Sequence, residues 1–192
     1  MSGELKSWVR RNVVVGLLVV SAVVVSIGTA SADEPSDTAT VTFDGQVLDL
    51  SQDWGGAEAC FVWEQQGIVE CFASESEMDA WIAALDDSVE FVDSGGVTPL
   101  AVTCSGYLRL YEGTSYTGQV LYLRDRAQWI NLSTYGFNQK TSSYKVGPCS
   151  SIFADYNNGG GDRYPTYLTQ AYDQASSMLT GWNNDVTSVY IY

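Results

Sequence analysis

The sequence predicts a mostly β protein: a β-sandwich of two equivalent halves, preceded by a small α+β segment of two hairpins and a helix. Three observations predict it. An internal repeat with a period of 45 residues runs through the C-terminal half. Short β-rich stretches punctuated by glycine recur within it, and two cysteine-bearing strands with a helical pattern behind them come before it.

The repeat emerges when the C-terminal half is slid against itself. Cys104-Ser105 meets Cys149-Ser150, Tyr111 meets Tyr156, and Tyr122-Leu123 meets Tyr167-Leu168. Further on, Gly136 meets Gly181, Phe137 meets Trp182, Asn138 meets Asn183, Ser142 meets Thr187 and Ser143 meets Ser188. Strand-like segments include Tyr107–Tyr111, Val120–Leu123 and Ser188–Tyr192. A single unit of about four short strands cannot bury its apolar face alone, whereas two units facing each other can.

Ahead of the repeat, residues 33–40 are polar and carry Pro35, which suits a tail. Val41–Phe43 and Gln46–Leu48 flank Asp44-Gly45, the dipeptide that favours a primed hairpin turn. A second hairpin pairs Ala59–Trp63 with Ile68–Phe72. With Glu64-Gln65-Gln66-Gly67 as its loop, Trp63 faces Ile68 and Cys60 faces Cys71. Ser74-Glu75-Ser76-Glu77 reads as a capping box, and Met78, Trp81, Ile82 and Leu85 fall at helical spacing, so a helix is expected over 74–86. Asp93–Pro99 reads as linker. The expected organisation is a leader at 1–32, a small α+β domain at 33–93, a linker at 94–102 and the sandwich at 103–192.

The leader has the three parts of a secretory signal peptide. Lys6, Arg10 and Arg11 open it, an apolar run from Val13 to Ile27 follows, and Ala30-Ser31-Ala32 ends it. A secreted, extracellular protein is therefore expected. The leader holds three basic residues and one acidic residue (Glu4), so its removal from a chain with 9 basic and 23 acidic residues leaves 6 and 22, a net charge of −16. Such a surface repels phosphate, so no nucleic-acid partner is expected, and no membrane partner once the leader is cleaved. A monomer is the expected state, and the wealth of Val, Ala and Gly with few lysines fits a bacterial source. The four cysteines all follow the leader and fit an oxidising compartment. They allow three pairings, and the facing positions in the hairpin favour Cys60–Cys71, which leaves Cys104 with Cys149. With no histidine in the chain and no C-x-x-C, a zinc site or a histidine-based nucleophile is not expected.

Residues 103–192 resemble the βγ-crystallin domain, two Greek keys packed as a sandwich. Tyr111-Glu112-Gly113-Thr114-Ser115-Tyr116-Thr117-Gly118 carries that family's corner pattern, an aromatic, four residues, an aromatic, one residue and Gly. In the second repeat Tyr156 is followed by Asn157-Asn158-Gly159-Gly160-Gly161 without the second aromatic in register, so a looser loop is expected there. The family's calcium motif, two Asn/Asp, two arbitrary residues, Ser/Thr and Ser, is met in full by Asn183-Asn184-Asp185-Val186-Thr187-Ser188. In Asn138-Gln139-Lys140-Thr141-Ser142-Ser143 it is met with Gln at the second position and Lys at the third.

The resemblance implies a possible calcium cofactor held by oxygen atoms alone. The implied ligand set is the Ser142 and Thr187 hydroxyls, the Lys140 and Asp185 carbonyls, the motif-opening Asn138 and Asn183, and the Glu112 and Asn157 carbonyls. The expected function is a secreted, non-enzymatic binding or structural module. The alternative is a peptidase inhibitor, because a family of bacterial metalloproteinase inhibitors is similar in fold and has two disulfides. An extracellular protease or another protein would then be the partner, met by the Gly113–Gly118 or Asn157–Tyr164 loop. Trp129, Trp182, Tyr164 and Tyr167 could stack sugars beside carboxylates in an enzyme, but core and corner packing explains them better, and no enzyme is expected.

Overall fold

Asp44 and Gly45 both adopt positive φ, 48° and 75°, the backbone a primed turn needs, and they join β1 (Thr40–Phe43) to β2 (Gln46–Asp49) in an antiparallel pair. The computed structural model describes residues 39–88 and 106–192. The leader, most of the tail, the linker and Cys104 lie outside the described residues.

The second hairpin has the register the sequence predicts. β3 (Ala59–Trp63) pairs with β4 (Ile68–Phe72), with Trp63 opposite Ile68 and Cys60 opposite Cys71, and the two cysteines form a disulfide. Cys149 is also disulfide-bonded, and its expected partner is Cys104. Helix α1 (Glu75–Ser88) begins at the expected box. Ser74 Oγ accepts from the Glu77 N–H at 3.2 Å, while Glu77 Oε2 reaches back to the Ala73 N–H at 3.2 Å, one residue before the cap.

Eight strands follow. The first repeat contributes β5 (Leu108–Tyr111), β6 (Val120–Leu123), β7 (Trp129–Asn131) and β8 (Ser143–Val146). The second contributes β9 (Ser151–Ala154), β10 (Arg163–Tyr164), β11 (Gln174–Ala175) and β12 (Ser188–Ile191). They form two sheets, in the orders β10-β9-β12-β7 and β11-β8-β5-β6-β3-β4. Each repeat gives its third strand to the other repeat's sheet: β7 pairs with β12, and β11 pairs with β8.

Period-two alternation explains the layers. Leu108, Leu110, Leu121, Leu123, Cys60 and Val62 point from the six-stranded sheet into a core shared with Ile130, Phe153, Val189 and Ile191 of the other sheet. The intervening residues Ala59, Phe61, Tyr111, Val120 and Tyr122 point the other way and pack with Met78 and Ile82 of α1. Trp81 closes edge-on over Phe61 at 5.2 Å. The helix is also fixed by charge: Arg109 on β5 binds Glu75 at 2.6 Å and Asp79 at 2.7 Å, and the Tyr111 hydroxyl donates to Glu75 at 2.7 Å. Burial and the neighbouring Glu75 raise the Tyr111 hydroxyl well above the ordinary tyrosine range, so this group stays protonated and donating.

The small segment and the sandwich share one sheet: β3 runs parallel to β6, from Ala59 beside Val120 to Val62 beside Leu123. The physical reason is the free edge that β6 would otherwise present, an unpaired row of N–H and C=O groups. The β1–β2 hairpin joins the same core through Val41, Leu48, Leu50 and Trp54, with Trp54 Nε1 donating to the Tyr135 carbonyl at 2.8 Å.

Asp125 ties the two regions together. Fully buried, it accepts the Glu64 N–H on Oδ2 at 2.9 Å and the Gln65 N–H on Oδ1 at 2.8 Å. Burial raises its pKa above the ordinary 3.8, against the opposite pull of those two donors. A carboxyl raised in the folded state binds its proton more tightly there, so its contribution to stability falls as pH rises from 3.8 through the raised value. Asn offers one acceptor where two N–H groups need one each. Asp125→Asn is therefore expected to cost about 1–3 kcal/mol at neutral pH in denaturant unfolding, and to remove this pH-dependent component.

Candidate cation-binding loops

Two loops related by a pseudo-two-fold carry the motif residues. In each, the second residue adopts left-handed backbone, Gln139 at φ 56° and Asn184 at φ 58°. That conformation turns its N–H across the axis. The Gln139 N–H donates to the Val186 carbonyl and the Asn184 N–H to the Thr141 carbonyl, both at 2.9 Å. The 138–143 and 183–188 loops thus hold each other, and Ser142 Oγ adds a bond to Asn184 Oδ1 at 3.0 Å.

The last serine of each motif pins a folded hairpin. Ser143 Oγ donates to the Gly113 carbonyl at 2.7 Å and accepts the Tyr116 N–H at 3.1 Å. Ser188 Oγ donates to the Tyr156 carbonyl at 2.6 Å and accepts the Gly159 N–H at 3.0 Å. Hairpin tips Ser115 and Asn158 share φ near 56° (57° and 55°), and Gly118 and Gly161 share positive φ of 78° and 70°. Gly161 also leaves no room for a Cβ against the Asp155 carboxylate.

These bonds correct the register read from sequence. Ser142 N–H meets the Tyr111 carbonyl and Thr187 N–H meets the Ala154 carbonyl, both at 2.8 Å. Tyr111 therefore corresponds to Ala154, not Tyr156, and the offset is 43 over the first two strands of each repeat and 45 over the last two. Gly118 and Gly161 carried that signal in the sequence, but the chance match of Tyr111 with Tyr156 obscured it. The counterpart of Glu112 is Asp155, while Asn157 lies in the turn at the position of Thr114.

The second hairpin is not looser than the first. Ser188 holds it as Ser143 holds its counterpart, and Trp129 from the exchanged β7 occupies the space beside Gly159, where any Cβ would collide with the indole. Arg163 covers the same ring at 5.3 Å. In the first hairpin this cover comes from Tyr116, packed on Tyr111 at 5.5 Å under Lys145. Of the other aromatics considered for sugar stacking, Tyr164 packs on Trp182 at 5.4 Å and on Phe153, while Tyr167 stands exposed.

Each motif brings together a near-buried hydroxyl, Ser142 or Thr187, and a half-buried third residue, Lys140 or Asp185; Asn138 and Asn183 are exposed at the loop starts. Glu112 and Asn157 are exposed on the hairpins. Among the described residues no group of three or more His, Cys, Asp or Glu side chains converges, so an ion here would rely on hydroxyl, amide and backbone oxygens. Thr141 Oγ1, within the first loop where the second has Val186, lacks a hydrogen-bond partner, as does Asp155 Oδ1, which lies against Gly161 in the second hairpin.

The paired serines should be structural keystones whatever the loops bind. Ser143→Ala and Ser188→Ala are each expected to destabilise the fold by about 1–2 kcal/mol, since each strips a hairpin carbonyl and an N–H of one shared partner. Urea unfolding of the two variants checks this, and a loss below about 0.5 kcal/mol in both would contradict it.

No protein-family model matches the chain, and no curated protein matches it. Among solved structures, it is similar to a domain described under the evolution of the eye-lens βγ-crystallin fold, at 20% identity and a TM-score of 0.41 over 50% of this chain and 93% of that one. A βγ-crystallin from Ciona intestinalis matches at 21% identity and a TM-score of 0.37, over 45% of this chain and all of that one. An archaeal βγ-crystallin matches at 21% identity and 0.36, over 46% and 99%. With its exchanged third strands and its two serine-pinned hairpins, the 106–192 region is a βγ-crystallin-like double Greek key.

Proposed function

We propose that the chain works outside the cell as a non-enzymatic binding or structural module whose double Greek key is stabilised by calcium. The observation that carries this reading is the pair of loops cross-bonded through Gln139 and Asn184, which set the Ser142 and Thr187 residues against the first strand of each repeat. The residues present fit a hard cation that takes oxygen ligands. The two motifs cross-feed the sets: one comprises the Glu112 carbonyl, the Ser142 hydroxyl and the Asp185 carbonyl from the other motif, and its counterpart comprises the Asp155 carbonyl, the Thr187 hydroxyl and the Lys140 carbonyl. Asp155 replaces Asn157 because of the corrected register. Ser142 donates its proton to Asn184, which leaves its oxygen lone pairs for an ion. Lys140 brings a positive charge to one set where Asp185 brings a negative one to the other, so the sets differ in strength.

The Cys60–Cys71 disulfide supports an oxidising, extracellular setting, in keeping with the leader. For the inhibitor alternative, a protease cleft takes an extended peptide. The Gly113–Gly118 loop has positive φ at Ser115 and Tyr116, and the Asn157–Tyr164 loop has it at Asn158. Neither tip is extended, which favours the module over the inhibitor.

Calcium titration with thermal melting tests the proposal. A site filled at a hundredfold excess over its Kd adds about 2.7 kcal/mol, so the melting temperature should rise at millimolar calcium and less with magnesium. Ser142→Ala should remove more of that rise than Thr187→Ala, because it empties the set without the lysine. An unchanged melting temperature at millimolar calcium would overturn the calcium reading.

A further inference from the structure

The two-residue difference between the repeats falls in one place, the connection from β10 to β11. The stretch 164–174 corresponds to 121–129, and it is longer by two residues. The shorter version in the first repeat shows that the fold does not require the longer one. The longer connection also concentrates exposed apolar side chains: Tyr167 is 84% exposed, Tyr172 71% and Leu168 42%. Together with Pro165, Gln170 and Asp173 they line an open cleft of about 770 Å³, within the size range of small-ligand sites.

This connection is held firmly although its side chains are exposed. Thr169 is buried and clamps Ser151: its hydroxyl accepts the Ser151 N–H at 2.7 Å, and its own N–H donates to the Ser151 carbonyl at 2.9 Å. The Tyr172 N–H donates to the Gly147 carbonyl at 2.7 Å, and the Asp173 carbonyl accepts from Val146 at 2.8 Å. Tyr172 itself sits at φ 63°, a conformation that costs a bulky aromatic and is kept where it serves a site. Two rings are thus presented to solvent on a rigid frame, which lowers the entropy cost of binding.

We infer that the cleft walled by Tyr167 and Tyr172 is a binding site for a neutral saccharide chain. A pyranose ring has an apolar C–H face and a rim of hydroxyls. Tyrosine offers the matching flat apolar face with a polar tip, and Gln170 and Asp173 add a donor and acceptors at the rim. No lysine or arginine lines the cleft, and the chain carries a net charge of −14, so an anionic glycan meets repulsion without a compensating cation. The site shares no residue with the cation-binding loops and stands whether or not calcium binds.

Native gel electrophoresis of the full chain through gels containing hydroxyethyl cellulose, mixed-linkage β-glucan, amylopectin or galactomannan tests the inference, with polygalacturonate as the anionic comparison. At least one neutral polymer should retard the protein. Tyr167→Ala and Tyr172→Asn should each weaken that retardation about tenfold or more, with a melting temperature no lower than that of the parent chain. Asn is chosen at 172 because it tolerates the left-handed backbone. Tyr167→Phe should retain binding, and Tyr156→Ala, an exposed tyrosine outside the cleft, should leave it intact. Retardation by none of the neutral polymers, by polygalacturonate alone, or equally in the Tyr167 and Tyr172 variants would overturn the inference.

Discussion

The exchange of third strands is the constraint on which the rest of this structure depends. Without β7, the sheet of the second repeat ends at β12; without β11, the sheet of the first ends at β8. Each half therefore completes its layer only with a strand from the other. The apolar faces of both sheets meet in one core containing Leu110, Leu121, Phe153 and Val189. That burial is the main favourable term in the fold, and it is available only when both halves are in place. The same exchange carries Trp129 across to roof the second hairpin, and it sets the two motif loops side by side so that each donates an N–H to the other.

Much of this architecture was legible in the residues because it rests on short-range rules. Asp44-Gly45 specified its turn, the facing Cys60 and Cys71 specified a register, and Ser74 with Glu77 specified a helix start. Each needs only the preferences of a few neighbouring residues. The duplication was also legible, since Ser143 and Ser188 do the same backbone work in both copies. Its register over the first two strands was not. At the true offset of 43, aromatic positions are filled by Ala154 and Gly159, and the missing bulk comes from Trp129 on another strand. Compensation across 30 residues leaves no local trace.

The N-terminal segment was legible as elements but not as a partner. Nothing in Ala59–Trp63 announces a parallel neighbour. The choice is made by tertiary terms: the open edge of β6, the buried Asp125 that accepts two N–H groups from the turn after β3, and the aromatic faces of Phe61 and Tyr122 packed at 5.1 Å. The candidate site shows the same division. Its serines and asparagines stood out in the sequence, whereas the equivalence of Asp155 to Glu112 depends on a register that only the hydrogen bonds reveal.

Backbone NOEs on the folded protein test the strand exchange most directly. The structure predicts cross-peaks between Ile130 and Val189 and between Lys145 and Gln174, the partners across β7–β12 and β8–β11. Cross-peaks that instead placed Trp129–Asn131 beside strands of its own repeat, with none to β12, would contradict the shared core and everything built on it.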